Sequence, residues 1–500
     1  MNHDPRLYNA DLAPVAPEKR LWTKWNIAAL WIGMAICIPS YNLAASLMKD
    51  GMYWWQALIT ITLGNIIVLF PMILNAHAGT KYGISCPVFL RSSFGVLGAN
   101  IPAIMRALVA CGWFGIQTWI GGLAIYILGC TVFGVPIEGE TAKLPILGIT
   151  GWQFFCFMIF WVVNMIIVLK GVESVKWMEN WGAPFLLFLG FVLLGWAVVR
   201  SGGFSKMFSE ETVKIVREIE MAKKTPAEVP IVLQEYDFWK IFFPSLTAMV
   251  AFWATLALNI PDFTCYARSQ KDQILGQMIG LPITMALFSF IGIAVTAATV
   301  VIYKEPIWDP VVLVGKFGNP IFVAIAMFGL AIATLTTNIA ANVVSPANCF
   351  SNLFPSKISF KTGGMITGFI GIVIMPWRLY MDMGAYIFTW LIGYGGMLGA
   401  IAGVMITDYW LVKRTHIVVD DLYRMDGIYA YGGSGFNWRA ITALILGILP
   451  NVPGFLQAAS NKAIQVPQIF NDIYVHAWLV GLLVAGVVHT LLSLSIPPKK

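Results

Sequence analysis

The feature that most limits how this chain can fold is a succession of apolar runs, each about as long as a bilayer is thick. A hydrocarbon core of about 30 Å takes some 20 residues of helix to cross. Runs of that kind lie near residues 25–48, 53–75, 99–130, 150–170, 181–200, 240–261, 274–303, 318–345, 363–380, 384–411, 437–457 and 474–495. Within lipid every backbone polar group must be satisfied internally, and runs this long and continuous do so as helices. The sequence therefore predicts an all-α integral membrane protein with about twelve transmembrane helices. Composition agrees, with 58% hydrophobic and 11% charged residues and a mean hydropathy of +0.75. Soluble domains carry roughly 25% charged residues.

The cations set the orientation. With both termini inside, segments assigned to the cytoplasm carry most of the lysines and arginines, among them Arg6, Lys19, Arg20, Lys81, Arg91, Arg268, Lys271, Lys413 and Arg414. The short outer loops hold few, such as Lys49, Lys143, Lys304 and Lys316. The positive-inside rule then places both termini in the cytoplasm of a multi-pass protein of the cell (inner or plasma) membrane. The net charge of +7 follows from this asymmetry and does not call for a nucleic-acid partner. Residues 1–24 lack the short apolar core of a signal peptide, so the first run is expected to remain as an anchor. The seven cysteines form no CxxC pair and the five histidines are scattered, so neither a disulfide framework nor a metal centre is expected. With no nucleophile and base at a recognisable spacing, the chain does not read as an enzyme.

Two of the apolar runs are interrupted in the same way. CIPSY (37–41) and NIPDF (259–263) each place a proline inside or at the end of a helical run, in a shared Trp-x6-Ile-Pro frame headed by Trp31 and Trp253. An aromatic residue follows two places later, Tyr41 and Phe263. Proline inside a helix removes a donor and costs about 3 kcal/mol or more unless something compensates. Prolines in membrane helices can do no more than kink them, but interrupted runs at matched places in two halves also mark transporter binding sites. If the first run corresponds to the sixth, each half holds five helices and the second copy is inverted. The expected division is a cytoplasmic segment 1–24, a first five-helix repeat 25–200, an extracytoplasmic loop 201–239, a second, inverted repeat 240–411, a cytoplasmic loop 412–436, and two additional helices with a tail, 437–500. On this reading the sixth run resumes beyond Pro261 and continues into 262–273.

Polar side chains inside the apolar runs supply candidate ligands. Trp113 and Gln117 share one face of the third run, and Asn338 and Asn342 one face of the eighth, each pair being four residues apart. Buried carboxamides are expensive unless paired, and each can equally serve as glue between helices. Thr334, Thr336 and Thr337 can bond back to their own helix. Together with Trp113, Phe252 and Trp253, the carboxamides suit a planar, uncharged ring with alternating N–H and C=O groups, stacked on aromatic faces. Away from the run ends the ionisable groups are Arg106, Asp262 and His489. Carriers driven by protons use intramembrane carboxylates or histidines, so this scarcity favours Na⁺ held by carbonyls and hydroxyls. Asp262, beside Pro261, is a possible proton site or a helix cap.

The blocks NAHAGTKYG (75–83), GANIPAIMRA (98–107), GWFGIQTWIGG (112–122), WATLALNIPDF (253–263), TTNIAANVVSPA (336–347) and ITDYW (406–410) resemble the nucleobase–cation symport family 1, which includes hydantoin, allantoin and uracil permeases. The resemblance implies two inverted five-helix repeats, a bundle rocking against a scaffold, and cation-coupled import. It further implies that Trp113 and Trp253 sandwich the ring and that Gln117 and Asn342 bond its polar edge. Phe252 stands where hydantoin-type members have glycine. For the cation, the resemblance implies the carbonyls of Gly33, Ile36 and Ala333 with the hydroxyls of Thr336 and Thr337. Cys37 replaces an amide-bearing residue of some relatives. The expected function is secondary active import of a nucleobase or cyclic ureide by Na⁺ or H⁺ symport, with no cofactor beyond the coupling ion. A passive facilitator and a carrier of amino acids or quaternary amines are the rival readings.

Overall fold

The computed structural model describes residues 4–135, 143–170, 173–224, 237–380 and 389–495. The first residues of the run expected at 384–411, and part of the segment expected as the loop 201–239, lie outside the described residues. In chain order the helices are α1 (Lys24–Ala35), α2 (Ile38–Lys49), α3 (Trp54–Tyr82), α4 (Cys86–Phe94), α5 (Asn100–Phe133), α6 (Gly151–Lys170), α7 (Glu173–Ser201), α8 (Phe204–Met207) and α9 (Glu210–Lys224). The second half continues with α10 (Phe238–Phe252), α11 (Ala254–Asn259), α12 (Pro261–Thr264), α13 (Gln270–Tyr303), α14 (Pro310–Gly315), α15 (Pro320–Asn342), α16 (Val344–Leu353), α17 (Phe360–Val373) and α18 (Pro376–Tyr380). The last helices are α19 (Ile392–Thr407), α20 (Trp438–Ile448), α21 (Val452–Ala459), α22 (Gln468–Val475) and α23 (Ala477–Ser495).

Each apolar run marked in the sequence is mainly helical where it is described, with breaks at Ile36–Cys37, Trp253 and Ile374–Met375. Among the described residues nine stretches are long and apolar enough to cross a membrane, and α1 with α2 forms a further span bent by 59° at the break. The two remaining runs appear as the shorter apolar helices α10 and α17. Large apolar side chains such as Phe70, Ile283, Ile321, Phe328 and Phe369 point outward, as a surface solvated by lipid requires. Several helices outrun their expected ends. The second run reaches Tyr82, where Gly83 closes it in the left-handed conformation at φ 71°. Outside the spans, the segment after α7 is partly helical, and α9 is tied back by Arg217, which donates to the Gly51 carbonyl at 2.6 Å.

Beside α19, which lies along α23 and α20, two further groups of helices pack together around the interrupted spans. In one, α1 lies along α13, which lies along α3; in the other, α15 lies along α5, with α6, α16 and α17 beside it. Small residues allow the close approach of α1 and α13. A Cβ added at Gly280 would come within 2.6 Å of the Trp31 Cβ, and one at Gly276 within 2.7 Å of the Ile27 Cβ. Such small residues, four apart, let helix backbones meet where lipid offers no hydrophobic drive to association. Asp272 fixes the register, because its Oδ1 accepts from the Lys24 N–H at 3.0 Å, at the start of α1.

Candidate functional site

The two interruptions differ in construction. In the first span, Ile36 ends α1 at φ −80°, ψ 81°, and Cys37 caps α2 in an extended conformation. Pro39 falls in the first turn of α2, where its missing N–H leaves no bond unmade. The second interruption comes earlier than the proline. α10 stops at Phe252, and Trp253 has φ −101°, ψ 4°. At Ile260, before Pro261, the backbone stays in the right-handed helical region at φ −51°, ψ −29°. The expected resumption into 262–273 is confined to one turn, Pro261–Thr264, because Ser269 caps a new helix, accepting from the Asp272 N–H.

Pro261 is tolerated because a neighbour replaces the donor it lacks. The carbonyl four residues earlier, that of Ala257, accepts from the Asn75 Nδ2 at 2.8 Å. The Thr264 and Thr80 hydroxyls add bonds to the Ala76 and Thr264 carbonyls, both at 3.1 Å. A Cβ on Gly79 would come within 2.8 Å of the Pro261 Cα, so glycine there lets α3 lie flush against the proline turn. Asp262 is a cap, but of another helix: its Oδ1 accepts from the N–H of Cys86, the first residue of α4, at 2.8 Å. Arg106 donates to the Asn259 Oδ1 at 2.9 Å, and His489 pairs with Asp408 at 3.1 Å, away from the breaks.

The tryptophans that head the matched motifs meet. Trp31 and Trp253 contact edge to face with ring centroids 5.3 Å apart. Around them, Trp113, Gln117, Phe252, Trp253 and Asn342 all line one pocket, together with Met34, Cys37 and Thr337. The pocket joins α1, α5, the α10–α11 break and α15. In this conformation it measures about 20 Å³, about enough for one water. Phe252 fills it, packing edge-on against Trp113 at 5.1 Å and against Trp253 at 5.0 Å. The slot expected between the two tryptophans is thus closed by Phe252.

The polar wall is fixed by a run of carboxamides. The Asn342 Nδ2 donates to the Asn338 Oδ1 at 3.0 Å, and the Asn338 Nδ2 donates to the Asn164 Oδ1 at 3.2 Å and the Thr118 Oγ1 at 3.1 Å. Asn338 is therefore a positioning residue, while Asn342 reaches the pocket. The Gln117 Oε1 and Trp253 Nε1 are buried without a partner. An unpaired acceptor and an unpaired donor at one pocket call for a ligand that offers the reverse of each. Sequence reasoning missed Tyr394, whose hydroxyl accepts from the Trp113 Nε1 at 3.2 Å. It lies in α19, in a sequence with no polar periodicity to single it out.

The cation candidates also converge. Thr336 donates to the Ala333 carbonyl at 2.8 Å, and Thr337 is shared between the Ala333 carbonyl at 3.1 Å and the Gly33 carbonyl at 3.2 Å. Ile36 lies at the nearby end of α1. A Cβ on Gly33 would meet nothing within 4 Å, so nothing packs against that side of its Cα. The donor set is neutral oxygen throughout, which fits a hard alkali cation and not a transition metal. Among the described residues no group of three or more His, Cys, Asp or Glu could hold a metal ion.

Comparison with known proteins places this geometry. Residues 14–481 match the family described as permease for cytosine/purines, uracil, thiamine, allantoin. The chain is 43% identical over 494 residues to the purine-uracil permease NCS1 of Arabidopsis thaliana, covering 97% of this chain and 78% of that one. It is 38% identical to the allantoin permease of Bacillus subtilis, over 99% of this chain and 94% of that one. Among solved structures it is similar to Mhp1, a nucleobase-cation-symport-1 family transporter in a closed conformation with bromovinylhydantoin bound, at 25% identity and a TM-score of 0.72, covering 97% of this chain and 94% of that one. The chain thus belongs to the cytosine/purine, uracil, thiamine and allantoin permease family, and is a multi-pass membrane transporter and not an enzyme.

Proposed function

We propose that the chain imports a nucleobase or related cyclic ureide by symport with Na⁺, through alternating access. The observation that carries this reading is the convergence of the aromatic and carboxamide groups with Thr337 in one pocket, where Thr337 also touches the Gly33 carbonyl. A ring opposite Trp113 and Trp253 would stack on their faces, donate to the Gln117 Oε1 and be read by Asn342. For that to happen Phe252 must turn out of the slot. A bound Na⁺ would supply positive charge at the end of α1. Gly33, Ile36, Ala333, Thr336 and Thr337 would hold it, with the two hydroxyls turning their oxygens toward the ion.

Because α1 borders both sites, ordering it for one ligand favours the other. The bundle and scaffold correspond to the α1, α3, α13 group and the α5, α6, α15–α17 group, within the repeats 25–200 and 240–411. Both termini lie in the cytoplasm, and 201–239 lies outside. Bacillus and Arabidopsis relatives named for allantoin and for purines and uracil set the ligand range to try first.

The test is reciprocal binding. Calorimetry of uracil and of allantoin on the purified chain, with and without Na⁺, is expected to show affinity rising by about 5–150-fold with the ion. Equal affinity in both conditions would sink Na⁺ coupling. Dependence on pH alone would move attention to Asp262, whose Oδ2 is buried without a partner.

A further inference from the structure

A roomier cavity than the central pocket lies elsewhere in the fold. A chamber of about 270 Å³ lies beyond that pocket, between the outer half of α5, the start of α6, the end of α18, and α14 with the segment that joins it to α13. Along α5, Trp119 on the chamber wall is six residues past Trp113, roughly 9 Å at helical rise. With both termini cytoplasmic, these helix ends face outside, so the chamber lies on the entry side of the pocket.

Its wall repeats the chemistry of the central site with different residues. Trp119, Trp308 and Tyr380 supply aromatic surface. Trp119 is held by Trp377 at 5.8 Å and Trp308 by Tyr380 at 6.1 Å between ring centroids. Tyr380 also takes a hydrogen bond from Asn42 of α2, which ties the chamber floor to the helix beyond the first break. Gln153 uses its Oε1 to accept from the Thr150 N–H at 3.0 Å, leaving its Nε2 donors for a ligand. Glu305 and Lys316, 3.3 Å apart, bring an acceptor and a donor to the rim. The Asp309 carboxylate accepts from the Val311 N–H at 2.8 Å. Burial pushes that carboxyl up to about 6, against the pull of the Val311 bond. Mixed donors and acceptors on aromatic walls suit a planar ring bearing both N–H and C=O groups.

We propose that this chamber is a second, outer binding site for the same planar, amide-bearing ligand, occupied while the central pocket is closed by Phe252. The proposal rests on the ligand class assigned to the central pocket. The outer site would hold the ligand on its way to a pocket that, as it stands, has space for little more than one water.

The test uses the full chain with Val312, which lines the chamber and is 42% exposed, replaced by cysteine. The native cysteines are all buried, so a membrane-impermeant maleimide reports on the new thiol. Labelling is followed with uracil and with allantoin, in the Val312→Cys chain and in Val312→Cys with Trp113→Ala, which removes the central stacking surface. The expected result is saturable protection in both backgrounds, with labelling slowed about threefold at twice the half-protecting concentration. Protection lost with Trp113→Ala, or absent in both chains, would overturn the outer site. Uptake by the unsubstituted chain, measured with the same ligands, keeps the two readings apart. Protection without uptake would uphold the chamber and overturn the import reading, and uptake without protection would do the reverse.

Discussion

The two proline-marked spans look alike in sequence and are built differently. In the first, the helix opens: α1 and α2 are bent by 59°, and the last turn of α1 is left beside the Thr337 hydroxyl. In the second, the proline turn is closed up, because Asn75 supplies the hydrogen bond that Pro261 cannot make. The opening there moves back to Trp253, at the aromatic pocket. A proline shows where a helix lacks a donor. Whether a site forms there depends on whether a neighbour replaces that donor.

The largest expected effect on ion binding, and the one that could break this contrast, lies at the first span. Replacing both hydroxyls, Thr336→Val with Thr337→Val, is expected to weaken Na⁺ by at least about tenfold, roughly 1.4 kcal/mol. It should leave uracil binding in the absence of Na⁺ near its starting value. A Na⁺ titration of uracil affinity reads it, and an unchanged midpoint would detach these residues from the ion.

At the second span, Asn75→Leu strands the Ala257 carbonyl and is expected to cost about 1–3 kcal/mol. Adding Pro261→Ala restores a backbone N–H to that carbonyl, so the double variant should melt higher than Asn75→Leu alone. Additive losses in a thermal melt of the four chains would show that the asparagine does not repair the proline.

Smaller effects sharpen the contrast. Asp262→Asn weakens the cap on α4 and is expected to lower stability by about 1 kcal/mol, with Na⁺-driven uptake and its pH profile retained. A lost pH dependence would instead make Asp262 a coupling group. Pro39→Ala is the mildest, about 0.4–1 kcal/mol through the unfolded chain, because that proline sits in a first helical turn that needs no donor. A melt showing a loss as large as that of Asn75→Leu would mean that the proline ring itself helps to hold the first break in place.

Much of this was legible in the sequence because membrane helices obey one-dimensional rules. Long apolar runs give the spans, and four-residue spacing gives the shared faces of Trp113 with Gln117 and Asn338 with Asn342. Other features depend on partners far along the chain and leave no local mark. Asn75 meets Ala257, Asp262 meets Cys86, and Tyr394 meets Trp113, each across more than one hundred and seventy positions. The Trp-x6-Ile-Pro frame drew attention to the prolines, whereas its tryptophans meet at the centre of the molecule. Nor could spacing show that Phe252 closes the slot, since that depends on how its ring packs between two others.

The most direct test of the account is uptake of labelled uracil, with allantoin and hydantoin as competitors, into proteoliposomes holding the purified chain. An inward Na⁺ gradient should drive accumulation, a proton gradient alone should not, and Thr336→Val with Thr337→Val should shift the Na⁺ response to at least about tenfold higher Na⁺. Accumulation driven by protons alone, with that double variant unimpaired, would contradict it.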